Sequence, residues 1–286
     1  MRQPFVVFVN ALWAAWARTS LAAVGGAMLQ RVPSPRIHRG VDRCLEAMSR
    51  WAWWQPALRA RLAAGRDRPL VPEAELEATY RDALALVTPD DADEVGAYLE
   101  FGVYVGTSLL CMHRASVAAG FPRMRLIGFD SFEGLPPSAG SDDGGAFRRG
   151  WYRAGHGLVR EHLTRSGIDW SRTTLVPGWF DETLHPRLAE RLGIDRVAVI
   201  LIDCDIYSSA RAALRFCAPM IRDRAVVVFD DWNAGGLAAN GMGERRAFEE
   251  LLAEHPDLGA RPLPAPHDDA AVFLVTRDRA VRRERG

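Results

Sequence analysis

From about residue 69 the chain alternates short apolar runs with longer stretches of helical periodicity. Five of the runs have the length and composition of β-strands, and they read AYLEFG, RLIGFD, TTLVPG, VAVILID and AVVVFD. Near-continuous apolar runs of this kind are typical of parallel strands that helices cover on both faces. The pattern therefore predicts an α/β fold with a doubly wound, mostly parallel sheet.

The two ends of this region differ from its middle. The segment VPEAELEATYRDALALV spaces Leu76, Tyr80 and Leu84 along one face and predicts a helix that begins near Pro72. Near the C-terminus, only His267, Asp268 and Asp269 separate RPLPAP from AAVFLVTR, which predicts an antiparallel pair at the edge of the sheet. We expect residues 71–286 to form one domain.

Residues 1–70 have a different composition and are predicted to be a helical extension. Residues 1–68 hold eleven Arg against three acids, a charge of +8, and five of the nine Trp. The apolar run from Pro4 to Ala17 is too short to span a bilayer, although it mimics a secretion signal with a thin charged region. We expect these helices to pack on the main domain or on a second subunit, with peripheral membrane contact as the alternative.

The composition limits the chemistry that the chain can perform. All 36 basic residues are Arg, so no mechanism that needs a Lys amine is possible, and the formal net charge of zero does not favour a nucleic-acid partner. The four cysteines form no CxxC pair, which predicts reduced thiols in a cytoplasmic protein without disulfides or zinc: Cys44, Cys111, Cys204 and Cys217.

A glycine turn and an acid follow the first two predicted strands. Gly102 and Gly106 let the backbone approach a ligand closely, and Thr107 and Ser108 are candidate caps of the next helix. The G-x-x-x-G spacing lacks the dinucleotide fingerprint and the P-loop Lys. Asp130 ends the second strand, where an acid accepts hydrogen bonds from ribose hydroxyls in nucleotide-binding sheets. Together they favour a ligand with a ribose but without a pyrophosphate.

Acidic pairs follow the fourth and fifth predicted strands. If the chain stays extended, Asp203 and Asp205 point the same way, and Asp230 and Asp231 end the neighbouring run. Each acid alone is commonly a helix cap or a solvated loop residue. Four carboxylates at an apolar edge must raise their pKa values or bind a cation, and an all-oxygen site suits Mg²⁺.

Five blocks, in this order and spacing, resemble the macrocin O-methyltransferase (TylF-type) family: LEFGVYVGTS, IGFDSFEGLP, VPGWFDETL, LIDCDIYSS and VVVFDDW. The resemblance extends over residues 75–277, and the metal arrangement is also similar to that of catechol O-methyltransferases. It implies a class I methyltransferase fold (Rossmann-like) and methylation of a sugar or glycoside hydroxyl. The implied cofactors are S-adenosylmethionine and Mg²⁺.

The resemblance also implies roles for individual residues. The methionine part of the cofactor would contact the first strand end and its turn: Glu100, Phe101, Gly102, Tyr104, Gly106, Thr107 and Ser108. The ribose would bind Asp130, and the adenosine would lie near Ser131, Phe132, Gly178, Trp179 and Phe180. Asp203, Asp230 and Asp231 would bind the metal, with Asp205 beside them.

Methyl transfer to a hydroxyl needs a group that accepts its proton. Asp203 or Asp205 is the expected catalytic base, and His156 and His185 are alternatives. The Gly- and Asp-rich stretch 136–157 is predicted to be a long loop that closes over the site, with NAGGLAANGMGER as another wall. The partner is then a small-molecule acceptor, and we expect a homo-oligomer.

Other interpretations of the acidic motif remain. LIDCD also fits the D-x-D motif of metal-dependent glycosyltransferases that use nucleotide sugars, although the helical pattern of residues 1–90 argues against their N-terminal sheet. Haloacid-dehalogenase-type phosphatases share a D-x-D motif but need a Lys, which this chain lacks. A non-catalytic methyltransferase-fold module is the third alternative.

Overall fold

The apolar runs form the strands, and the amphipathic stretches between them form helices. The structure, a computed structural model, describes residues 71–88 and 95–278. In chain order the main elements are α1 (Glu73–Val87), β1 (Ala97–Phe101), α2 (Thr107–Ala118), β2 (Leu126–Asp130), α3 (His156–Arg165), β3 (Thr173–Pro177), α4 (Phe180–Thr183), α5 (Pro186–Leu192), β4 (Val197–Ile202), α6 (Tyr207–Cys217), β5 (Arg224–Phe229), α7 (Gly243–Glu254), β6 (Leu258–Leu263) and β7 (Ala271–Arg277).

The strands form one seven-stranded sheet in the order β3-β2-β1-β4-β5-β7-β6. Strands β1 to β5 are mutually parallel, whereas β7 runs antiparallel to both β5 and β6. The chain moves outward from β1 to β3 and then returns to β4 on the other side of β1. This topology confirms the predicted doubly wound sheet with an antiparallel edge.

Both faces of the central strands are buried, which explains their continuous apolar sequences. Along β5, Val226 and Val228 belong to the core beneath α1 and α2, while Val227 and Phe229 belong to the core beneath α6 and α7. Neighbouring residues of a strand point to opposite faces, so a strand between two helical layers needs apolar residues at every position.

The structure gives the bounds of the two elements that were predicted at the ends of this region. Pro72 precedes the first residue of α1, and the buried face of this helix includes Tyr80 and Leu84, as predicted. The edge strand predicted over RPLPAP is instead Leu258–Leu263. Pairing ends where Leu263 lies opposite Val272, one residue before Pro264, and Pro262 is tolerated because β6 is an edge strand.

Some predictions concern residues that the structure does not describe. The helical extension over residues 1–70 lies outside the described residues, as does Cys44. Cys111, Cys204 and Cys217 are buried free thiols, and their reduced state stays a prediction. No helix in the described ranges has the length and apolar character to cross a membrane.

Candidate active site

The acidic strand ends meet where the strand order reverses, between β1 and β4. Open α/β sheets bind ligands beyond the carboxyl ends of their strands at such a reversal. Backbone pairing continues one residue past the strands here, because Asp203 N–H donates to the carbonyl of Phe101 (2.9 Å) and Asp230 N–H to that of Ile202 (3.0 Å). Asp203 and Asp230 therefore lie next to each other.

A cluster of three aspartates occupies this edge. Asp203, Asp230 and Asp231 each place one carboxylate oxygen so that all three lie within 4.8 Å of one another. Asp205 joins them through a side-chain hydrogen bond with Asp231. Burial, followed by the neighbouring carboxylates, raises the pKa of Asp203 and of Asp205 well above the ordinary value. The same causes, with burial the largest, raise the pKa of Asp231 to about 7.

Asp205 reaches the cluster by a route that the sequence did not predict. Strand β4 ends at Ile202, and Asp205 has a φ of +64°, so the condition that the chain stays extended from Asp203 to Asp205 is not met. The chain turns here to enter α6. Left-handed backbone at a residue other than glycine is uncommon and concentrates at functional sites.

The aromatic residue after the paired acids fixes their position. The ring of Trp232 lies 5.0 Å from that of Phe229, 5.1 Å from that of Phe273 and 6.0 Å from that of Phe248, between centroids. This packing joins β5, β7 and α7 directly beside Asp231. The motif VVVFDDW thus combines a buried strand, two site carboxylates and an anchoring ring.

The glycine turn after β1 touches the backbone that leads into the aspartate cluster. Gly102 has a φ of +96°, and a Cβ added there would lie 1.6 Å from the carbonyl oxygen of Asp203. Gly106 has a φ of +88° and precedes the first residue of α2. Only glycine fits at position 102, and the turn and the cluster are therefore neighbours.

Glu100 lies inside the core under this turn. Its Oε2 accepts a hydrogen bond from the hydroxyl of Tyr98 (2.7 Å), and its Oε1 accepts one from Oγ of Ser108 (2.8 Å). Burial raises the pKa of Glu100 to about 8. The predicted capping of α2 by Thr107 or Ser108 was wrong, because Gly106 occupies the cap position without a side-chain bond. Ser108 binds the buried glutamate instead.

Asp130 organises the same turn from the end of β2. Its Oδ2 accepts the backbone N–H groups of Val103 (2.8 Å) and Tyr104 (2.9 Å), and its Oδ1 accepts that of Phe132 (2.6 Å). Burial raises the pKa of Asp130, against the opposing effect of these three bonds. The carbonyl of Asp130 also accepts the N–H of Gly178 (2.9 Å), which draws the end of β3 toward the site.

The other residues expected near the adenosine lie around these two strand ends. Oγ of Ser131 donates to the carbonyl of Gly134 (2.9 Å), and the buried ring of Phe132 packs on His156 at 4.8 Å. Trp179 precedes the first residue of α4. Phe180 packs edge-on against Phe101 at 5.8 Å, with its ring toward the core.

The predicted long loop packs over the acidic edge. It runs from residue 131, after the last residue of β2, to residue 155, before the first residue of α3. Leu135 and Phe147 of the loop form a small core with Ile206 and Leu237, which follow β4 and β5. Closure over a bound ligand stays a prediction.

Comparison with known proteins decides the family. The family model described as Macrocin-O-methyltransferase (TylF) matches residues 55–254. The chain belongs to the TylF family. It is 32% identical over 177 residues to the 8-demethyl-8-(2,3-dimethoxy-alpha-L-rhamnosyl)-tetracenomycin-C 4'-O-methyltransferase of Streptomyces olivaceus, which covers 59% of this chain and 66% of that protein. A second relative, the demethyldecarbamoylnovobiocin O-methyltransferase of Streptomyces niveus, is 26% identical over 166 residues, or 56% of this chain and 61% of that protein.

A solved structure supports the same fold. The calicheamicin methyltransferase CalS11 superposes with a TM-score of 0.56 at 22% identity, covering 86% of this chain and 94% of that one. The TylF-family chain thus has the class I methyltransferase fold. It spans just under two thirds of the length of the two curated relatives, 66% and 61%.

Two residues of this TylF-family site were missed by the sequence analysis. Nε2 of His267, in the β6–β7 turn, lies 3.1 Å from Oδ1 of Asp230, a contact that raises the pKa of His267. Glu244, in the first turn of α7, is fully buried and accepts the N–H of Asp231 (3.2 Å). Nothing in the sequence distinguished them, because a histidine in a turn and a glutamate in a charged helix are normally solvated.

Proposed function

We propose that this TylF-family protein transfers a methyl group from S-adenosylmethionine to a hydroxyl of a sugar or glycosylated natural product, with Mg²⁺. One observation supports this most: the three carboxylate oxygens of Asp203, Asp230 and Asp231, within 4.8 Å of one another, adjoin the glycine turn after β1. A metal site and a cofactor site would then share one edge of the sheet.

The aspartate cluster fits a hard divalent cation. Its donors are all carboxylate oxygens, the ligands that Mg²⁺ prefers, and burial of like charges makes the pKa values of these groups rise unless a cation offsets them. Asp203, Asp230 and Asp231 would hold the ion. When bound, Mg²⁺ supplies positive charge that lowers the pKa of an acceptor hydroxyl.

The turn after β1 fits a ligand that approaches the backbone. Gly102 has no side chain to block the approach, and the carboxylate of Asp130 keeps the turn in shape. A carboxylate offers about four acceptor sites, so one remains for a ribose hydroxyl after the three backbone bonds. When bound, S-adenosylmethionine supplies a methyl group that its sulfonium already activates.

Asp205 is the best candidate for the base. It lies beside the three-oxygen cluster through its bond with Asp231 but is not one of its three members, so its carboxylate would remain available for a proton. Burial, followed by the charge of Asp231, raises the pKa of Asp205, which makes its carboxylate a stronger base. Alignment of the reacting atoms by the site would contribute roughly 7–11 kcal/mol.

Aromatic residues support a glycoside as the acceptor. Trp151 and Tyr152 of the loop are 42% and 48% exposed, unusual for large rings. The ring of Tyr152 packs edge-on against that of Tyr104 at 6.0 Å, in the turn after β1. Burial, followed by the charges of Asp205, Asp231 and Asp203, raises the pKa of its hydroxyl. Exposed rings beside a polar site suit a ligand with both apolar and hydroxylated faces. The first curated relative is named for O-methylation of a rhamnosyl-tetracenomycin, and the second is named as the O-methyltransferase of demethyldecarbamoylnovobiocin.

Calorimetry followed by a transfer assay tests the function. The protein is titrated with S-adenosylhomocysteine and, separately, with a nucleotide sugar; only the first should bind. Labelled S-adenosylmethionine is then offered with a panel of rhamnosyl and other glycosides, with Mg²⁺ or with EDTA. Binding of the nucleotide sugar alone would instead support a glycosyltransferase.

A further inference from the structure

A fifth carboxylate, that of Glu244, lies against the aspartate cluster. The side chain is fully buried in the first turn of α7. Its Oε2 accepts the backbone N–H of Asp231 at 3.2 Å, while its Oε1 is buried without a hydrogen-bond partner among residues 71–88 and 95–278. Within these ranges, the carboxyl group therefore bonds to the peptide that joins the paired aspartates.

This arrangement is costly for the fold. A buried carboxyl oxygen without a partner loses its hydration and receives nothing in return. Burial, followed by the charges of Asp231 and Asp230, raises the pKa of Glu244 well above its ordinary value. A position in the first turn of a helix offsets only part of this cost, through the positive end of the helix dipole. The cost suggests that the residue serves the site.

The bond from Asp231 to Glu244 restrains the peptide between the paired aspartates. Asp230 N–H pairs with Ile202, and the ring of Trp232 packs into the aromatic cluster on the following side. Between them, the carbonyl of Asp231 accepts the N–H of Ala234 (3.2 Å), and Glu244 holds the N–H of Asp231 from a helix 13 residues further along the chain. Rotation of this peptide would swing both carboxylates away from Asp203.

We propose that Glu244 is a positioning residue that sets the geometry of Asp230 and Asp231 by accepting the N–H of Asp231. This inference rests on the proposed function, because it assumes that the aspartates hold a divalent cation. Glu244 acts through its acceptor oxygen and its length, and its charge is secondary.

Two substitutions separate length from charge. Glu244→Asp keeps the carboxylate but is one methylene too short to reach Asp231, whereas Glu244→Gln keeps the length and an acceptor oxygen without the charge. Mn²⁺ affinity is measured for both by electron paramagnetic resonance, with Glu249→Asp as the control on the exposed side of the same helix. We expect Glu244→Asp to bind Mn²⁺ about 10- to 100-fold more weakly, as loss of partners behind metal ligands usually does, and Glu244→Gln to bind almost as tightly as wild type.

Thermal unfolding checks that each variant is folded. Equal affinity in Glu244→Asp and wild type would overturn the inference, and so would a loss in Glu244→Gln that matches or exceeds that in Glu244→Asp. If wild type binds no Mn²⁺ at all, the metal-dependent function itself fails and the inference fails with it. Wild-type binding together with unchanged variants would remove only the role of Glu244.

Discussion

Glu100 carries a carboxyl group that has no contact with solvent, and its pKa of about 8 lies well above the ordinary value of 4.5. In the unfolded chain the group ionises as pH passes its ordinary value, whereas in the folded protein it stays protonated up to about pH 8. Because the folded state binds the extra proton, the stability that Glu100 contributes is present at acidic pH and is lost as pH rises through this window.

Replacement of Glu100 by glutamine tests this pH dependence of stability. Glu100→Gln keeps groups that can bond with Tyr98 and Ser108 but cannot ionise, so its free energy of unfolding should decline less between pH 5 and 8. We expect the variant to gain at most a few kcal/mol on wild type at the alkaline end, measured by urea unfolding at several pH values. A difference that does not change with pH would show that Glu100 ionises normally in the fold.

Asp205 and Asp231 are hydrogen-bonded partners with different expected roles. Asp205→Asn should lower turnover by about 100-fold or more, since it removes a base, while Mn²⁺ affinity changes little. Asp231→Asn should lower Mn²⁺ affinity and raise the Mg²⁺ concentration needed for half-maximal rate. Both effects are measured by titrating Mg²⁺ and recording the rate of methyl transfer to a glycoside that the panel identifies as an acceptor. The assignment fails if the two variants behave alike.

At the scale of elements, the turn between β1 and α2 joins the proposed cofactor and metal sites. Gly102→Ala would push a methyl group into the carbonyl of Asp203, so we expect the free energy of unfolding to fall by more than about 4 kcal/mol. We expect the variant to lose S-adenosylhomocysteine binding as well. Gly120→Ala is the matched control, because Gly120 has a similar φ of +88° but nothing within 4 Å. Its cost should be only that of left-handed backbone, about 1–2 kcal/mol. Similar losses in both variants, by denaturant unfolding, would contradict the close contact.

The central strands were predictable because they have apolar residues on both faces. Runs such as VAVILID and AVVVFD can be buried only as central strands, and acids at their ends must then meet at one edge. The position of Asp205 could not be predicted in this way, because the pattern of apolar and polar residues does not indicate a left-handed residue after the strand. Glu244 and His267 arrive from distant elements, and their burial depends on how α7 and the β6–β7 turn pack.

At the scale of the whole molecule, the charge of the chain is divided unequally. Residues 1–68 carry +8 and five Trp, and the rest of the chain carries −8. We expect the full-length protein to sediment with anionic lipid vesicles at low salt and to be released as salt screens the attraction. Neutral vesicles are the control. If the protein stays in the supernatant with anionic lipid at low salt, the segment is instead a dimerisation or acceptor-binding element.

The central claim is that Asp203, Asp230 and Asp231 form a divalent-cation site beside the cofactor turn, and Mn²⁺ titration by electron paramagnetic resonance tests it most directly. The account predicts that wild type binds about one Mn²⁺ per chain, as a three-carboxylate site should. Asp230→Asn, which removes one negative charge, should bind it about 10-fold more weakly or worse while S-adenosylhomocysteine affinity is retained. The absence of Mn²⁺ binding in folded wild-type protein, or equal binding in Asp230→Asn, would contradict the account.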